Sequence, residues 1–249
     1  VLLENLRFHG GEEKNDPDFA RDLASLADTF VMDAFAVAHR AHASTVGVPQ
    51  VLPSAMGLLV QREVGAMGQA LEAPAKPLAA LMGGAKVSDK ILVLENMLEK
   101  LDHLFIGGGM AVTFLNAVGL KTGASSIEAD RLDFAREILS LAKSKGIQVH
   151  LPEDVVIAST FAADPPEHKT VLADQVPDGW YIMDIGEASA RSFSQVLTSC
   201  KTIIWNGPMG VFEMPKFSQG TRVVAKAIAD LRDATTVVGG GSTAEVVEE

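Results

Sequence analysis

At 249 residues, with 47% hydrophobic and 21% charged side chains, the chain has the make-up of a packed globular protein, long enough for one large core or two modest ones. A formal net charge of −11 argues against a nucleic-acid binder, which needs a basic surface to displace counterions from phosphates. A lone cysteine, Cys200, excludes an internal disulfide and reads as a small buried residue in a reducing, cytoplasmic compartment. No run approaches the roughly 18 apolar residues of a membrane span, and no basic leader precedes an apolar one. The chain opens on Val1-Leu2-Leu3, a strand-like run that reads as a truncated end.

In chain order, apolar spacing of three and four predicts a helix over 19–26, followed by a strand at Phe30-Val31-Met32. A helical pattern over 60–77 ends in Ala73-Pro74-Ala75-Lys76-Pro77 and reads as a connector between two lobes. Beyond it, strands are expected at 78–82, 104–106, 202–205 and 235–238, and helices at 88–101, 129–145, 188–197 and 218–231. This alternation implies an α/β fold with mostly parallel sheets and flanking helices.

Three strands run straight into glycine: Met82 into Gly83-Gly84, Ile106 into Gly107-Gly108-Gly109, and Val238 into Gly239-Gly240-Gly241. At the carboxyl edge of a doubly wound sheet such turns face the ligand crevice, and a helix starting there aims unpaired N–H groups at an anion. Any one of them alone could equally be a tight turn. Gly83-Gly84-Ala85-Lys86-Val87-Ser88-Asp89-Lys90 adds two lysines four apart. With a helix starting near Val87, both would serve one face and suit a polyphosphate; the bland reading is a solvated face. The segment is not a Walker A loop, and the second glycine run does not match the dinucleotide fingerprint.

Trp205-Asn206-Gly207-Pro208-Met209-Gly210-Val211-Phe212-Glu213 offers Glu213 to a ribose diol and Pro208 and Val211 to a base, or is a structural turn. Near the start, Asn5-Leu6-Arg7-Phe8-His9 and Ala38-His39-Arg40-Ala41-His42 each deliver an arginine after a strand, a plausible anion pocket. Pairing of those arginines with surface acids such as Glu12 or Asp33 is the alternative. His39 and His42 lack a third partner for a metal, and no metal-ligating residue is assigned.

Taken together, Glu4-Asn5-Leu6-Arg7-Phe8-His9, Asp33-Ala34-Phe35, Ala38 to His42, Gly83 to Lys90, Gly107-Gly108-Gly109-Met110-Ala111, Trp205 to Glu213 and Gly239-Gly240-Gly241 resemble the phosphoglycerate kinase family in order and spacing along the whole chain. The resemblance implies a two-lobe, monomeric, cytoplasmic glycolytic enzyme that moves a phosphoryl group between 1,3-bisphosphoglycerate and ADP, with Mg-ATP or Mg-ADP as the nucleotide. It divides the chain into a remnant of the phosphoglycerate-binding lobe (1–59), a connector (60–77) and a nucleotide-binding lobe (78–249). It implies substrate binding by Arg7 and Arg40, and catalysis by Lys90 with Lys86 and Arg40. Gly84, Gly107, Gly108, Pro208 and Val211 would line the base pocket, Asn206 would face the phosphates, Glu213 would hold the ribose, and Gly239, Gly240, Gly241, Ser242 and Thr243 would cradle phosphate.

Two departures stand out. Ser242 occupies the place where the family usually has an aspartate that helps hold magnesium, and a neutral hydroxyl is a poorer partner for a hard dication. The family's opening and closing segments would lie outside the chain, so the first lobe is expected to be incomplete and turnover poor. A nucleotide-binding module without turnover is the alternative.

Overall fold

The computed structural model describes residues 1–248, so the end of the expected nucleotide lobe, Glu249, lies outside the described residues. The chain separates into two compact units, Val1–Ala73 and Pro74–Glu249.

In the first unit, α1 (Pro17–Ala24) starts two residues before its apolar pattern does. Pro17 presets the first helical φ, and Asp16 Oδ1 accepts from the Asp18 and Phe19 N–H groups, each at 3.0 Å. Strands β1 (Phe30–Met32) and β2 (Ser54–Met56) pair in parallel. Asp33, directly after β1, reaches the start of α2 (Leu58–Glu72), its Oδ1 accepting from Leu59 N at 2.7 Å and Val60 N at 3.0 Å. Contrary to expectation, Val1-Leu2-Leu3 is not a strand: it is exposed and pairs with no neighbour. An apolar run becomes a strand only where another takes up its backbone hydrogen bonds.

The second unit is built on a five-stranded parallel sheet in the order β10-β9-β3-β4-β5. These strands are β3 (Leu78–Met82), β4 (His103–Ile106), β5 (Gln148–His150), β9 (Thr202–Asn206) and β10 (Thr235–Gly239). Between them in sequence come α3 (Ile91–Met97), α4 (Gly108–Ala117), α5 (Leu132–Ser144), α6 (Glu187–Leu197) and α7 (Gln219–Ala229), and α8 (Gly241–Glu248) follows β10.

The reason β3 is central can be read from its side chains. All five are buried, and the two-residue period sends Leu78, Ala80 and Met82 into a core with Leu94, Phe114 and Ile138, and Ala79 and Leu81 into a core with Phe193, Ile203 and Trp205. Each fully buried leucine or methionine there contributes roughly 1.5–3 kcal/mol relative to exposure.

Sequence reasoning did not anticipate the second sheet, antiparallel and ordered β7-β6-β8, from β6 (Asp154–Ala158), β7 (His168–Leu172) and β8 (Tyr181–Ile185). Its outer strand β7 is mostly exposed and polar, so it carries no apolar periodicity to betray it. Among the described residues no helix is long and apolar enough to cross a membrane.

Candidate functional site

In the second unit the carboxyl ends of β3, β4 and β9 release their chains into glycine loops that touch one another through backbone. Gly84 N donates to Pro208 O at 3.0 Å, Gly108 N to Met209 O at 2.8 Å, and Met110 N to Gly84 O at 3.1 Å. Such approach leaves no space for side chains. Gly207 has φ +100°, and a Cβ there would lie 2.3 Å from the Gly83 carbonyl carbon; Gly108 has φ +59° and would meet Gly84 N at 2.7 Å.

Around these loops lies a cavity of about 640 Å³. Of the five residues assigned to a base pocket, Gly84, Gly108, Pro208 and Val211 line the cavity and Gly107 does not. Lys86, Glu213 and Ser242, all three exposed, line it as well. Lys90 is half-buried, and its Nζ donates to Asn206 Oδ1 at 2.6 Å across 116 residues of sequence. Burial lowers the Lys90 pKa below its ordinary value, while neighbouring Asp89 pulls it back up.

The lysine loop differs from the expected continuous helix. Ser88–Lys90 forms a 3-10 turn, and α3 begins only at Ile91 and ends at Met97. Lys86 therefore precedes any helix, and the two lysines are not stacked on one α-helical face. The turn starts without a local side-chain cap; the carboxylate of Glu128 takes its first N–H groups instead.

At the far edge of the sheet, Gly239 ends β10, Gly240 turns the chain at φ +89°, and Gly241 opens α8. Thr243 is buried, and its Oγ1 accepts from Gly207 N at 2.7 Å, so this hydroxyl fastens the neighbouring loop. Gly107 is buried beneath Met209, where a Cβ would lie 2.5 Å from the sulfur.

The two arginines belong to the first unit. Arg7 sits in a 3-10 turn, Leu6–Phe8, with Glu13 at 3.9 Å and both side chains exposed, an ion pair of little energetic weight. Arg40 is exposed, and its carbonyl accepts from Thr45 Oγ1 at 2.5 Å. The acids proposed as alternative arginine partners are engaged elsewhere: buried Glu12 accepts from Ser44 N and Oγ, and Asp33 caps α2.

Phe161, Glu128 and Asp184 are among the cavity-lining residues that the sequence pattern does not single out. Phe161 stands in the wall with its ring 6.2 Å from that of Tyr181. Glu128 caps the lysine loop. Asp184, only 2% exposed, accepts from Ile185 N at 2.9 Å and Gly220 N at 2.7 Å, and burial pushes its pKa up to about 7. An acid inside the apolar run Tyr181-Ile182-Met183-Asp184-Ile185 is the signal that could have exposed it.

Chemically, the cavity joins an apolar wall, a rim carboxylate and the Lys86 ammonium group beside glycine loops, with Lys90 held to Asn206 on the loop next to it. That combination suits a planar base, a diol and a polyanion.

Known proteins agree in one direction. A family model described as phosphoglycerate kinase matches residues 1–249. The phosphoglycerate kinase of Moorella thermoacetica is 54% identical over 249 residues, covering 100% of this chain and 63% of that protein. That of Trichodesmium erythraeum is 51% identical over 251 residues with the same coverage. Among solved structures, phosphoglycerate kinase from Coxiella burnetii superposes with a TM-score of 0.87 at 43% identity, covering 100% of this chain and 64% of the other. The enzyme from Pyrococcus horikoshii OT3 gives 0.83 at 32% identity, with 99% and 64% covered. The chain thus spans about 63% of the length of the curated relatives it matches, and over its whole length it belongs to the phosphoglycerate kinase family.

Proposed function

We propose that this chain is the greater part of a phosphoglycerate kinase, a cytoplasmic, monomeric glycolytic transferase acting on small molecules. It exchanges a phosphoryl group between the γ-position of ATP and the carboxylate of 3-phosphoglycerate, giving ADP and 1,3-bisphosphoglycerate, or runs in reverse. The observation that carries the reading is the meeting of three glycine loops around one 640 Å³ cavity lined by Lys86 and Glu213, with the Lys90–Asn206 hydrogen bond joining two of those loops. Phosphoryl transfer asks for positioning and charge neutralisation more than for a nucleophile, and this convergence supplies both. The base would lie against Pro208 and Val211, the ribose by Glu213, and the phosphates toward Lys86, Lys90, Asn206 and the 239–243 loop. Arg7 and Arg40, cations on the first unit, would take the phosphoglycerate.

Magnesium would arrive with the nucleotide. Among the described residues no three His, Cys, Asp or Glu side chains cluster to hold a cation alone, and Ser242 offers a hydroxyl in the cavity wall. The ion would therefore rest mainly on phosphate oxygens and water, neutralising charge there. The single buried Cys200 fits a reducing compartment.

Calorimetric titration with Mg-ADP tests the nucleotide site directly: saturable one-to-one binding is expected, and a folded sample that shows none removes the reading. In a protein extended to the relatives' length, Lys90→Ala should lower turnover about 10²- to 10³-fold, since loss of one transition-state donor costs about 2.7–4 kcal/mol. A change within about twofold would discard that role for Lys90. Because the chain spans 63% of its relatives, a binding module without turnover is the second reading. Mg-ADP binding with no activity in either length would favour it.

A further inference from the structure

One carboxylate in the cavity wall is turned away from the space and onto the loop that carries the two lysines. Glu128 Oε2 accepts from Val87 N and, at 3.3 Å, from Ser88 N, while Oε1 accepts from Ser88 Oγ at 2.6 Å. Its own N–H donates to Thr113 Oγ1 at 3.2 Å, and Thr113 is 2% exposed within α4. The contact spans about forty residues of sequence and joins the lysine loop to the helix that begins in the second glycine loop.

Three points set this apart from ordinary helix capping. Caps normally come from the residue just before the first turn, yet Val87, which holds that position, has no side chain able to accept. Val87 is also fully buried, so without the carboxylate its N–H would lose its partner and find no water. Moreover, a carboxylate lining a cavity suited to a polyanion is disfavoured by like charge, unless its lone pairs are engaged elsewhere as they are here.

We propose that Glu128 is a positioning residue: by closing the Ser88–Lys90 turn from a distant segment, it sets where Lys86 and Lys90 present their ammonium groups to nucleotide phosphates. The proposal rests on the nucleotide reading of the cavity. It makes Glu128 important for the phosphate part of binding and indifferent to the base and ribose, a division that a merely structural residue would not produce.

The test compares ADP with adenosine by titration of the whole chain and of three variants. The parent should bind both ligands. Glu128→Ala should weaken ADP by about tenfold or more, the scale of losing charge-assisted hydrogen bonds, and leave adenosine within about twofold. Glu128→Gln keeps an oxygen for the two amides and an N–H for Ser88 Oγ, so ADP affinity should stay within about threefold of the parent. If circular dichroism shows the alanine variant unfolded, Glu128→Asp, one methylene too short to reach, replaces it with the same expectation. Equal losses for ADP and adenosine, or an ADP affinity within about twofold of the parent in the truncated variants, would overturn the positioning role with the nucleotide site intact. A folded parent that binds neither ligand would refute the nucleotide reading and the positioning role with it.

Discussion

Asp184 stands in the wall of the 640 Å³ cavity with its carboxyl group nearly dry. Desolvation is the first cause of its raised pKa, about 7, and the N–H groups of Gly220 and Ile185 oppose it by favouring the charged form. Raised above the ordinary carboxylate value of 3.8, the folded state keeps its proton where the unfolded chain has released it. Its contribution to stability is therefore fully present below pH about 4, declines as pH rises to about 7, and is flat above. Asp184→Asn keeps an oxygen for Gly220 N and has no proton to lose. Stability of parent minus variant, from urea unfolding at a series of pH values, should fall through that window by a few kcal/mol. Parallel curves between pH 4 and 7 would show that Asp184 ionises as freely in the fold as out of it. Lys90 is the counterpart: burial lowers its pKa below the ordinary value, and the neighbouring Asp89 carboxylate opposes that shift.

At the level of elements, legibility followed hydrophobic period. The strands 78–82 and 202–206 lie where their apolar runs place them, because both faces of an interior parallel strand are largely buried and the run is continuous; 235–239, an edge strand, is marked by its β-branched Thr235-Thr236-Val237-Val238 run instead. Helix starts were less legible. The lysine loop was read as an α-helix from about Val87, but its first turn is 3-10 and capped from Glu128, a partner that no local pattern announces. Asp184 and Thr243 were hard to interpret for a related reason: their partners, Gly220 and Gly207, are 36 residues away in each case. The glycine loops were legible as loops, while their mutual backbone contact was not. Gly207→Ala tests that contact, since a side chain there meets both an unfavourable φ and the Gly83 backbone. Destabilisation of at least about 1–3 kcal/mol in urea is expected, and an unchanged midpoint would mean the loops can part without loss.

On the scale of the molecule, the two units carry different chemistry: exposed arginines in the first, lysines and glycine loops in the second. That division predicts separable effects. Arg40→Ala should weaken 3-phosphoglycerate binding by about tenfold, as loss of a charged hydrogen-bond donor does, and leave the ADP affinity unchanged. An unaltered 3-phosphoglycerate affinity would remove Arg40 from the substrate site. The general α/β alternation was visible in the sequence because length, strand runs and helical spacing agree; the antiparallel sheet was not, because β7 has no apolar signature and the apolar runs of β6 and β8 do not by themselves announce antiparallel pairing.

β3, like β4 beside it, sends alternate side chains into two cores of the second unit, then ends at a glycine loop that lines the cavity. That loop hangs from the segment that two independent packings must release together. Local opening, which frees most ligand loops cheaply, is therefore costly at this point, because the loop's root is held by both packings at once.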